Sequence, residues 1–220
     1  MQRIPEPDLM EGDVQARAYA EADFEEPHRY CLELLQKHLT LTETGRALDL
    51  GCGPGDITLR FARAFPGWRV DGVDGSAAML HYGHQAVTQA NLQERVQLVQ
   101  AYLPNGTAPN GRYPCIFSNS LLHHLLDPNV LWQSIHRWAE RGAGIFVMDL
   151  MRPADKATAH SMVETHAAAE PEILRQDFFN SLLAAYTLNE IQSQLAQAGL
   201  DYLQVEAVSD RHLIIWGQYR

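Results

Sequence analysis

A chain of 220 residues can bury one continuous core and is short for two ordinary domains, so a single domain over 1–220 is expected. Its 46% hydrophobic and 20% charged residues exclude the signature of disorder, and no run approaches the roughly 18 apolar residues that span a bilayer. With 17 Lys and Arg against 27 Asp and Glu, the net charge of −10 disfavours polyanions such as DNA or tRNA, and Arg3, Arg46, Arg60, Arg112 and Arg152 are dispersed rather than run together.

Taken in chain order, the patterning alternates helix and strand. Residues 27–39 carry Cys31, Leu34, Leu35 and Leu39 at helical spacing behind a proline suited to a first turn. The run ALDLG then reads as a short buried strand entering glycines, and residues 56–65 repeat Ile57, Phe61 and Ala64 until Pro66-Gly67 stops them. WRVDGVD is a second strand, Ser76 an N-cap for a helix over 77–90, and RVQLVQ a third strand. Residues 114–119 make a fourth strand, Asp127-Pro128 opens a helix striped with Leu131, Ile135 and Trp138, and GIFVMDL is the fifth strand. Thr187 and Glu190 are spaced as a capping box ahead of Leu188, Ile191, Leu195 and Ala198, with Gly199 at the helix end. YLQVEAV and HLIIWG flank Ser209-Asp210 as an antiparallel hairpin. Parallel strands with crossover helices and a terminal hairpin make a doubly wound α/β sheet.

Cys31, Cys52 and Cys115 lack C-x-x-C or Cys/His ligand spacing, which argues against a disulfide framework and a zinc site, and no metal is expected. The first residues, MQRIPEPDLMEGD, have no secretory pattern. A soluble cytoplasmic protein with reduced thiols is the expectation.

The string Leu48-Asp49-Leu50-Gly51-Cys52-Gly53-Pro54-Gly55-Asp56 lies between the first strand and the next helix, where doubly wound folds bind ligands and where glycines admit close approach of the backbone. A dinucleotide loop would read G-x-G-x-x-G, whereas the spacing here is G-x-G-x-G, which demotes NAD. LDLGCGPG resembles the first motif of the class I S-adenosylmethionine (SAM)-dependent methyltransferases. VDGVDGSAAML (70–80) is similar to that family's second strand ending in an acid, and SNSLLHHL (118–125) to the segment after its fourth strand.

The resemblance implies a Rossmann-like, mostly parallel sheet of seven strands in the order 3-2-1-4-5-7-6, with methyl transfer to a small-molecule acceptor. It also implies a cofactor site. Asp74, about 20 residues after the glycine loop, would accept from both ribose hydroxyls. Gly51, Cys52, Gly53 and Gly75 would line the pocket, Asp49 would receive the methionine ammonium, and Met79 would pack on the adenine or in the core, Cys52 serving as filler. Many relatives place an Asp-Ala pair after the third strand. Here Gln100-Ala101-Tyr102 stands instead, so Gln100 would accept from an amine and Tyr102 would stack or bury itself. Asn119 ends the fourth strand beside the same site.

A general base is needed only where the acceptor must lose a proton, and His123 and His124 follow the fourth strand at the crevice. Adjacent residues there should point differently, one into the site and one into packing, or both cap and pack. Residues 1–44 form an expected N-terminal helical cap, with Tyr19, Phe24 and His28 as acceptor-binding candidates. Residues 152–186 form a helical insertion striped with Leu174, Phe178, Leu182 and Ala185, in which Phe178 is a further candidate. The alternative function is a noncatalytic SAM-binding partner. The Asn/Asp-Pro-Pro-Tyr/Phe run of amino-methylating nucleic-acid enzymes is replaced by Ser118-Asn119-Ser120-Leu121, and no ligand set of the metal-dependent catechol type can be assembled.

Overall fold

The computed structural model describes residues 1–6 and 12–220. Seven strands, β1 (Gly45–Leu50), β2 (Trp68–Asp74), β3 (Val96–Gln100), β4 (Tyr113–Asn119), β5 (Ala139–Leu150), β6 (Gln204–Ala207) and β7 (His212–Gln218), form one sheet in the order β3-β2-β1-β4-β5-β7-β6. The first five run parallel, and β7 is antiparallel to both β5 and β6. Order and directions are those the resemblance implies.

Side-chain alternation splits the core between two faces. Leu48, Ile116, Ile145, Val147, Leu213 and Ile215 face one layer, where helices α5 (Asn129–Trp138) and α8 (Leu188–Gln197) contribute Trp132, Ile135, Ile191 and Leu195. Ala47, Val70, Phe117, Phe146, Met148 and Ile214 face the other, against α2 (Glu25–His38), α3 (Asp56–Ala64) and α4 (Ala77–Gln89). Strands covered on both faces read as near-continuous apolar runs, which is why GIFVMDL shows no alternation.

Local chemistry sets the element ends. Ser76 Oγ accepts from Met79 N–H at the start of α4, and Thr187 with Glu190 forms the reciprocal capping box of α8. Asp127 Oδ1 accepts from Asn129 N–H at 2.9 Å, so α5 begins one residue past the expected proline. A Cβ on Gly72 would stand 2.6 Å from Leu98 and 2.9 Å from Cys52, so only glycine lets β2 pass beneath the loop that follows β1.

Three helices lie outside this frame. Helix α1 (Asp13–Glu21) packs against α4 and α7, while α6 (Lys156–His166) and α7 (Glu172–Ala184) pair around Ala159, Val163, Leu182 and Leu183 over Leu150 at the end of β5. Residues 1–6 run along the end of α7, with Ile4 N–H donating to Leu183 O at 3.0 Å and Arg3 to the carbonyls of His123 and Leu125 at 2.8 and 3.0 Å. Among the described residues, no helix is long and apolar enough to cross a membrane.

Candidate active site

At the carboxyl ends of β1, β2 and β4 the chain leaves a cavity of about 540 Å³. Its floor is the loop Gly51–Gly55. The N–H groups of Gly51 and Cys52 both donate to Val73 O, at 2.8 and 3.1 Å, which ties the loop to the end of β2. Gly53 adopts φ +51°, and a Cβ built on it would meet nothing within 4 Å, so the open cradle expected of the motif is present. Asp74 braces the same loop. Its Oδ2 accepts from Gly53 N–H at 2.8 Å and its Oδ1 from Ser76 N–H at 2.7 Å. Two of about four carboxylate lone pairs are thereby used, and two remain for a ligand's hydroxyls. Burial holds the Asp74 carboxyl above its ordinary range, against the pull of those two backbone donors.

Asp49, Gly51, Cys52, Gly53, Asp74, Gly75, Met79, Ala101, Tyr102 and Asn119 all line this cavity. Gln100 does not. Its amide donates to Gly75 O at 3.0 Å and lies 3.4 Å from the Tyr102 hydroxyl, bracing the rim from outside. Tyr102 is 55% exposed, so the alternative that it buries itself does not hold. Cys52 is buried and burial pushes its thiol far up, as suits a filler. Asp49 is only 1% exposed and accepts from Thr58 Oγ at 2.5 Å. Burial pushes its carboxyl up to about 7, the Thr58 bond opposing and the Asp74 charge assisting.

A second cavity, also about 540 Å³, adjoins the first, and the two share Tyr19, Phe24, His28, Asn119, Ser120 and His124. Phe178 and Ser181 on α7, together with His123, belong to the second alone. Leu122–His124 is a single 3-10 turn, and the two imidazoles lie 4.2 Å apart, with His124 on both cavities and His123 on the second. His28 also faces both, yet its Nδ1 is committed to Asp56 Oδ2 at 2.5 Å. Burial pushes the Tyr19 phenol up to about 12, so it stays protonated.

Three residues of this corner escaped the sequence reading. Asp149 is fully enclosed, and its Oδ1 lies 2.6 Å from His123 Nδ1 while its oxygens accept from the N–H groups of Leu122 and Leu150, each at 2.7 Å. Its signal was an acid inside the apolar run of β5. Glu6 Oε1 accepts from Ser181 Oγ at 3.0 Å and lies 3.5 Å from His123 Nε2 and 3.2 Å from His124 Nδ1. Neither Glu6 nor Ser181 carries a local pattern that could have exposed it.

Residues 47–142 match the family described as the methyltransferase domain. The chain is 33% identical over 141 residues to a trans-aconitate 2-methyltransferase of Azoarcus sp., covering 64% of this chain and 52% of that protein. It is 25% identical over 191 residues to the 27-O-demethylrifamycin SV methyltransferase of Amycolatopsis mediterranei, covering 86% and 65% respectively. The chain spans about half the length of the first curated relatives it matches. A SAM-dependent methyltransferase structure from Aquifex aeolicus superposes with a TM-score of 0.68 at 17% identity, covering 95% of this chain and 99% of that one.

Proposed function

We propose that the chain is a class I SAM-dependent methyltransferase, as its methyltransferase-domain match and its similarity to named methyltransferases support, and that it transfers a methyl group from SAM, bound in the first cavity, to a small-molecule acceptor bound in the second. The observation that carries this reading is the junction. Two equal cavities meet at Asn119, Ser120 and His124, one floored by a glycine loop and a strand-end carboxylate, the other walled by the added helices. The substrates named for the relatives are small molecules, and the net charge of −10 opposes a polyanionic acceptor.

The residues present suit the cofactor. Asp74 would hold the ribose diol, Gly51 and Gly53 would leave room for the methionine portion, Asp49 would face its ammonium, and Met79, Ala101 and Tyr102 would contact the adenine. When bound, the cofactor supplies a methyl carbon made electrophilic by the sulfonium. The chain's own contribution is orientation and water exclusion, which suffice for much of the acceleration of an in-line displacement. His123, fixed by Asp149, and His124 form the polar corner where an acceptor would lose a proton.

Asp49 gives this site a pH dependence. A carboxyl raised to about 7 is largely neutral at pH 6, where it offers little to an ammonium. SAM affinity is expected to be about tenfold weaker at pH 6 than at pH 8, with Asp49→Asn flattening the profile, as calorimetry would show. In the absence of ligand the sign reverses. A folded value above the unfolded one contributes stability that is fully present below about pH 4 and is lost as pH rises through about 7.

The function itself is tested by incubating the chain with methyl-labelled SAM and pools of small acids, phenols, alcohols and amines. Label should enter an acceptor and S-adenosylhomocysteine should accumulate. SAM binding without transfer to any pool would leave a binding protein instead.

A further inference from the structure

The polar corner of the second cavity contains more than a general base requires. Among the described residues, one atom each from Glu6, His123 and His124 lies within 4.8 Å of the other two. Glu6 Oε1 stands 3.5 Å from His123 Nε2 and 3.2 Å from His124 Nδ1. Atoms held about 2.0 to 2.2 Å from a single zinc-class ion stand about 3 to 3.5 Å from one another, so these two separations need almost no rearrangement. We propose that Glu6, His123 and His124 bind one divalent transition-metal ion at the wall of the acceptor cavity.

The surroundings of His123 support that assignment. Asp149 accepts from Nδ1–H at 2.6 Å, which orients the ring so that Nε2 faces Glu6 at 3.5 Å. Asp149 is itself immobilised by the N–H groups of Leu122 and Leu150, at 2.7 Å each. A carboxylate behind an imidazole whose other nitrogen faces a second carboxylate is the arrangement that orients metal-binding histidines and raises their basicity. Two imidazole nitrogens and a carboxylate oxygen converging at one point are the donor set of such an ion. The ligand types suit zinc, cobalt or nickel better than magnesium or calcium, which prefer oxygen alone.

Three protein ligands leave a coordination position open, as in sites that bind a reacting group rather than merely stabilise a fold. His124 lines both cavities. On the reading that the second cavity holds the acceptor, the ion would take an oxygen donor of that acceptor, a hydroxyl, enol or carboxylate, and make any proton on it easier to lose to solvent. Cys/His spacing could not reveal this site, because Glu6 and the histidines are separated by about half the chain and only residues 1–6 lying along α7 bring them together.

The test uses the full chain without SAM or acceptor, so its failure and failure of the methyl-transfer reading are separate results. Chain stripped with a chelator and dialysed is titrated with Co²⁺, read by calorimetry and visible absorption, and with Zn²⁺ in competition. One equivalent is expected to bind with a visible d–d band. Glu6→Gln and His124→Gln should weaken binding at least about tenfold, Asp149→Asn by about 10- to 100-fold, and exposed His84→Gln not at all. Circular dichroism of each variant checks its fold, and the wild-type titration stands without any variant. Absence of stoichiometric binding by the wild-type chain would overturn the proposal, and so would binding that folded Glu6→Gln and His124→Gln leave unchanged. In either case the corner is a hydrogen-bonded cluster held together by protons.

Discussion

Gly53→Arg is expected to abolish SAM binding while leaving the chain folded. The substitution acts in the open, since a Cβ at this position meets nothing within 4 Å, and the long side chain would extend into the space that the cofactor needs. The backbone cost is modest, because φ +51° lies in the left-handed region that other residues enter at small expense. For the wild-type chain, free ligand at about 100 times its dissociation constant adds about 2.7 kcal/mol, a melting shift of about 5 to 10 °C in a domain of this size. The variant should melt within a few degrees of the wild type and show no shift with SAM. A normal shift would mean that the cofactor lies elsewhere.

The second large effect belongs to the second cavity. His123→Gln should lower kcat by about 10²- to 10⁴-fold while leaving SAM's melting shift intact, whether the corner removes the acceptor proton itself or through a bound ion. The glutamine amide can still donate to Asp149, so that carboxylate is not left with backbone donors alone. Phe178→Ala should behave differently. Phe178 lines the second cavity with no polar partner, so its loss should raise KM for the acceptor more than it lowers kcat. Steady-state kinetics with the acceptor varied separates the two. Equal effects on kcat from both variants would make the corner a packing element.

The contrast between what was and was not legible in the sequence follows contact range. The capping box Thr187–Glu190, the strand Trp68–Asp74 and the glycine loop are each written in consecutive residues, and each was found at the expected place. Strand β5 runs from Ala139 rather than from residue 144, because Glu140 and Arg141 are exposed and polar and hide its first residues from a hydrophobic pattern. The first cavity was legible because one loop and one strand end build its floor. The polar corner of the second cavity was half legible: the two histidines were visible, but Asp149 reaches them from β5 and Glu6 from the start of the chain. Gln100 sits one residue before the cavity wall, where the pleat turns its amide outward to Gly75.

The central claim is that the loop Gly51–Gly55 with Asp74 forms a SAM site in a chain whose G-x-G-x-G spacing argues against NAD. Isothermal titration of the chain with SAM, S-adenosylhomocysteine and NADH tests it directly. One site per chain for each of the first two, and no heat from NADH, is the predicted result. No heat and no melting shift with saturating SAM, or binding of NADH in its place, would contradict it.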